Sequence, residues 1–192
     1  MTQVTELSAR PRPERIALIH NPPPYGGGNV TTWLRSGTYC GNKPTGGLWT
    51  STYLSEGEYL SDWHRGRATN RLIQMAYPNN RLPAWLLDIE PDAQVLRVGD
   101  LSAALDFTQR YHLGTIPLQS LGLPAIITPE ITDWETALHD YDAVLLTAEA
   151  ADEIAFAAVA GKQVTAFHTW NCESMIAGKW IFRNVRRAPE QQ

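Results

Sequence analysis

Gly41-Asn42-Lys43-Pro44-Thr45-Gly46-Gly47-Leu48-Trp49-Thr50-Ser51-Thr52-Tyr53 opens as a glycine-rich loop with one cation and ends as a run of aromatic and β-branched residues. The first half favours a turn, because paired glycines let the backbone approach another group with no Cβ between them. The second half alternates, with Leu48, Thr50 and Thr52 on one face and Trp49, Ser51 and Tyr53 on the other, as a strand requires. A face reading aromatic, hydroxyl, aromatic suits a ligand built of a ring and a sugar better than it suits a dry core. The stretch therefore predicts a ligand-binding strand preceded by a backbone-lined loop.

Around it the chain alternates short strands and helices without βαβ regularity. Strands are expected at Arg15–His20, Trp85–Ile89, Ala93–Val98, Ala143–Thr147, Val164–Trp170 and Lys179–Val185, since each is a short apolar or β-branched run bounded by turn formers. Helices are expected at Glu56–Ala76, at Leu101–Tyr111 behind the N-cap Asp100, at Trp134–Asp140 behind Asp133, and at Ala148–Ala158 before Gly161. In the second helix Leu101, Leu105 and Thr108 or Gln109 fall at helical spacing. Residues 112–129 are rich in glycine and proline and read as loop. The pattern predicts an α+β fold, with split mixed or antiparallel sheets flanked by helices.

Length and composition fit one domain over residues 1–192, with 1–14 a loose lead-in and 187–192 a polar tail. A chain of 192 residues buries about 70% of its unfolded surface. A net charge of −4 argues against general binding to nucleic acid or to a membrane surface. No apolar run approaches the roughly 20 residues of a membrane span, and the N-terminus carries no apolar signal core. Only Cys40 and Cys172 are present, too few for a disulfide scaffold, so a reducing cytoplasmic setting is expected. The scattered His and Cys lack the paired spacing of a zinc site, and no metal is expected. Gly26-Gly27-Gly28 lacks the Gly-Lys-Ser/Thr of a phosphate-binding loop.

Three residues stand out together: His20 closing the first strand, Ser51 within the second, and Glu173 near the end of a late apolar segment. In that order the chain resembles the ADP-ribosyltransferase superfamily, which joins a first-strand His or Arg, an aromatic and hydroxyl motif on a second strand, and a late Glu in one NAD cleft. Leu48-Trp49-Thr50-Ser51-Thr52-Tyr53 is similar to the second motif, and Asn171-x-Glu173 to the last. The chain is also similar to a set of phage and actinobacterial proteins through Lys43–Ser51, Tyr141–Val144 and Trp170–Ser174, a likeness that implies no activity.

The resemblance implies an NAD-dependent mono-ADP-ribosyltransferase, a glycosyltransferase that cleaves the nicotinamide–ribose bond and passes ADP-ribose to an unidentified protein, nucleobase or small-molecule acceptor. Glu173 would stabilise the oxocarbenium-like state through the ribose 2′-hydroxyl. Ser51 would position Glu173 or the nicotinamide ribose, and His20 would bond the adenosine-side ribose. Trp49 or Tyr53 would stack on nicotinamide, Gly47 would lend backbone, and Lys43, with Arg35, would neutralise the diphosphate. Asn171 occupies the position that selects the acceptor, where Glu or Gln is common, and Asn21-Pro22 follow His20 where the family has a small residue. A Glu173→Ala variant is then expected to lose turnover and keep its fold. Two rival readings are a non-catalytic module binding protein or glycan through its seven tryptophans, and a cysteine hydrolase built on Cys172 and His168.

Overall fold

A computed structural model describes residues 14–18, 47–54, 59–69, 84–115, 130–159, 165–168, 170 and 172–189. His20, Arg35, Cys40, Lys43, Gly161 and Asn171 lie outside them. The strands are β1 (Arg15–Leu18), β2 (Leu48–Thr52), β3 (Ala84–Ile89), β4 (Val95–Val98), β5 (His112–Thr115), β6 (Glu130–Thr132), β7 (Ala143–Leu146), β8 (Ser174–Ala177) and β9 (Phe182–Arg187). The helices are α1 (Asp62–Thr69), α2 (Leu101–Arg110), α3 (Trp134–Asp140) and α4 (Ala148–Val159).

The architecture is α+β, with one correction: the strands do not split into comparable sheets. One seven-stranded mixed sheet runs β4-β7-β8-β2-β1-β3-β9, and β5 with β6 forms a separate two-stranded ribbon. Strands β4 and β7 are parallel, while every other pair in the large sheet is antiparallel. Strands β7 and β8 are apolar throughout apart from Ser174, because both their faces are covered. Val144, Leu146 and Ile176 face the cluster under α2, α3 and α4. Ala143, Met175 and Ala177 face a second cluster with Leu87, Ile89 and Phe182.

Three local expectations also change. His112–Thr115, read as loop, pairs with Glu130–Thr132, and a register shift lies between His112 and Gly114. The run 164–170, read as strand, turns instead: His168 N–H donates to Thr165 O and Trp170 N–H to Phe167 O. Ala166, Phe167 and Trp170 are buried all the same, so their burial was legible and the backbone path was not. On α2 the buried face is Ala104, Phe107 and Thr108, continued by Tyr111, one step round from Leu101 and Leu105. Asp100 caps this helix as expected, its carboxylate accepting from Ala103 N–H at 2.7 Å. Thr108 locks the helix to the turn, its Oγ1 donating to Ala104 O at 2.7 Å and accepting from Ala166 N–H at 2.8 Å.

Gly47 immediately precedes β2. Its φ is +70°, and a Cβ there would lie 2.8 Å from the Ile176 side chain and 3.1 Å from Ala177 O. Here the glycine serves the close approach of β2 to β8. Gly47→Ala is expected to cost about 2–4 kcal/mol, combining left-handed strain with overpacking. Urea unfolding of the variant beside wild type measures it.

Candidate functional site

Strand β2 lies between β8 and β1, and that placement builds the site. Arg15 opens β1 opposite Thr52, and Glu173 immediately precedes β8, whose Met175 pairs with Thr50. Both charged side chains therefore meet over the carboxyl end of β2. The sequence reading put Glu173 at the end of an apolar strand; it stands at the start of one, because the segment before it turns.

The contacts are dense. Arg15 Nη1 donates to Glu173 Oε1 at 2.6 Å and to Thr52 Oγ1 at 2.7 Å. Its Nε donates to Thr50 Oγ1 at 3.1 Å and its Nη2 to Thr50 O at 3.0 Å. Ser51 Oγ donates to Glu173 Oε2 at 2.8 Å, as does Thr52 N–H at 2.8 Å. Thr52 Oγ1 completes the set, donating to Glu173 Oε1 at 3.2 Å. A carboxylate offers about four acceptor positions, so these donors fill them all.

The side chain of Arg15 is only 1% exposed and that of Glu173 10%. Burial pulls the Arg15 pKa below its ordinary value, and the charge and hydrogen bond of Glu173 oppose that shift. Glu173 thus has two tasks, as the counter-ion of a buried cation and as a carboxylate facing a cavity. Glu173→Ala is therefore expected to lose stability as well as turnover.

The cavity measures about 290 Å3. Thr52 and Leu54 at the end of β2, Asp62 on α1, Arg97 and Leu145 on β4 and β7, Thr147 to Glu149 at the start of α4, and Glu173 line it. Because β8 runs antiparallel to both β2 and β7, strands β2, β4 and β7 point the same way. The cavity sits at their carboxyl ends. At the low end of ligand pockets, about 300–1,000 Å3, it has room for a ring and a ribose rather than a whole dinucleotide.

Of the residues singled out in the sequence, Ser51 and Glu173 are brought together. Trp49 and Tyr53 are not at this cavity. The Trp49 ring meets Trp170 edge-on at 4.7 Å against the large cluster, and Tyr53 packs with Ile16 and Leu86. Of the six tryptophans among the described residues, Trp134 and Trp170 are buried and Trp49, Trp63, Trp85 and Trp180 are half-buried. His168 Nδ1 lies 2.9 Å from Thr165 O and so carries its proton there, while the Cys172 thiol is 4.0 Å from Ser174 Oγ.

Sequence reasoning missed Arg15, Thr52 and Asp62. Arg15 carried a signal, a lone cation opening an otherwise apolar strand. Asp62 carried none, since it fell inside the helix expected over Glu56–Ala76 and opens a helix only in the structure. Among the described residues no helix is long and apolar enough to cross a membrane, and no group of His, Cys, Asp and Glu is placed to hold a metal. No family model, curated protein or solved structure matches this chain.

Proposed function

We propose that the protein is an NAD-dependent ADP-ribosyltransferase whose reaction centre is Glu173. One observation carries this: Glu173, oriented by Ser51 Oγ at 2.8 Å across 122 positions of sequence, faces a cavity sized for a ring and a ribose. In this reading Arg15 holds the Glu173 carboxylate beside Ser51, and His20, Lys43 and Asn171 keep the roles the resemblance implies.

The chemistry asks for little more than placed charge. As the nicotinamide–ribose bond lengthens, positive charge grows on C1′ and the ring oxygen, and nicotinamide leaves as a neutral ring. A carboxylate already held in position stabilises that charge without reorganising, typically worth a factor of about 10²–10³ for one such group. Fixing is what Ser51 and Thr52 N–H supply. The weakest donor, Thr52 Oγ1 at 3.2 Å, is the one a ribose 2′-hydroxyl would displace from Oε1.

A second reading rests on the same saturation: Glu173 serves only as the counter-ion of Arg15, and the protein is a non-catalytic module. Nicotinamide release from NAD separates the two, measured without added acceptor and normalised to folded protein. Wild type is expected to release nicotinamide, and Glu173→Gln at least about 100-fold more slowly. Equal rates, or no release by wild type, exclude the transferase.

A further inference from the structure

The transferase reading leaves one step without a residue. An acceptor hydroxyl must lose its proton as it attacks C1′, and Asn171, an amide, has no basic oxygen to receive it. Among the described residues, the carboxylates lining the cavity other than Glu173 are Asp62 and Glu149.

They differ in what holds them. Glu149 is fully exposed, and its pKa is lowered by its own backbone N–H and by the Thr147 hydroxyl at the start of α4. A carboxylate whose ionised form is already so satisfied is a weaker base. Asp62 stands on a first turn fixed to the Glu173 segment. Trp63 Nε1 donates to Ser174 Oγ at 2.9 Å, one residue past Glu173, and that hydroxyl donates on to Cys172 O at 3.2 Å. The fully buried Ser61 secures the same turn through His64, with 2.9 Å between Oγ and Nδ1. The Asp62 side chain remains 27% exposed, open to an incoming group, and its partner Arg65, at 3.0 Å, is 59% exposed.

We propose that Asp62 is the general base of the transfer, taking the proton from an acceptor hydroxyl, water included, in the cavity it lines with Glu173. This rests on the transferase reading. The acceptor oxygen's lone pair forms the C1′–O bond while the electron pair of the C1′–N bond leaves with nicotinamide. The acceptor proton passes to an Asp62 carboxylate oxygen. Glu173 keeps its hydrogen bonds and gains no proton.

Sodium azide tests the assignment, because it attacks C1′ without a proton to remove. With NAD as substrate, Asp62→Asn is expected to release nicotinamide on the order of 100-fold more slowly than wild type, the lower end of what a positioned base contributes. Azide should then restore at least about tenfold, giving ADP-ribosyl azide, and leave Glu173→Gln unrestored. A structural role for Asp62 would slow release with no azide rescue, and that result overturns the proposal, as does an Asp62→Asn rate equal to wild type. If Glu173→Gln is slow while Asp62→Asn is not, the base alone is misassigned. If wild type releases no nicotinamide, both readings fall.

Discussion

Glu173→Ala is expected to lower the unfolding free energy by about 3–5 kcal/mol, the usual cost of removing one partner from a buried ion pair. Arg15 stays where β1 puts it, 1% exposed, with Nη1 aimed at an absent carboxylate. Thr52 N–H loses its acceptor at the same time, and Ser51 Oγ keeps only the main-chain oxygen of residue 173 at 3.3 Å. Glu173→Gln should lose less, since its amide oxygen still accepts from Arg15 while its NH2 meets donors it cannot satisfy.

Adding Arg15→Met to Glu173→Gln removes the stranded cation and should recover about 2 kcal/mol, within the coupling measured between neighbours in one network. Urea unfolding of the four proteins, with m-values compared to confirm two-state behaviour, gives the coupling directly. Additive losses would mean that Arg15 finds another partner when Glu173 is gone. The cycle also protects the activity test, because a variant that unfolds and one that has lost its chemistry are told apart before any rate is compared.

The stretch 41–53 was legible where its physics is local. Period-two alternation over residues 48–52 marks a strand, and β2 is there. Asp100 and Asp133 announced their helices because an N-cap acts within its own turn, and Asp133 accepts from Thr136 N–H at 3.0 Å as such a cap does. What local pattern could not carry was the outcome of pairing. Trp49 reads as a ligand platform until Trp170, from a distant turn, meets its ring at 4.7 Å. Gly47 reads as a ligand-facing glycine until Ile176 is seen to need the space. Arg15 reads as the polar edge of a strand until the order β8-β2-β1 sets it against Glu173, 158 positions away. Ser51 and Glu173 were found as a pair only because a family resemblance linked them, and the antiparallel register of β2 with β8 is the physical link.

The last large effect lies behind the site. Trp134 is fully buried, stacked on Trp170 at 5.5 Å between ring centres, and flanked by Phe107 at 5.2 Å and Phe167 at 5.7 Å. Trp134→Ala is expected to cost about 3–5 kcal/mol, the range for deleting a large buried ring. Trp134→Phe should cost less, since a ring still fills part of the space. Both would be measured by urea unfolding. The cavity left by alanine adjoins Phe167 and Trp170, in the segment that turns just before Glu173, so the loss is felt closest to the site. The Arg15, Ser51 and Thr52 donors hold Glu173 from β1 and β2, independently of that cluster. Nicotinamide release per folded molecule by Trp134→Ala should therefore stay within about tenfold of wild type, whereas Glu173→Gln falls by at least about 100-fold. A Trp134→Ala enzyme that is folded yet as slow as Glu173→Gln would show that the aromatic cluster, and not β1 and β2, sets the carboxylate in place.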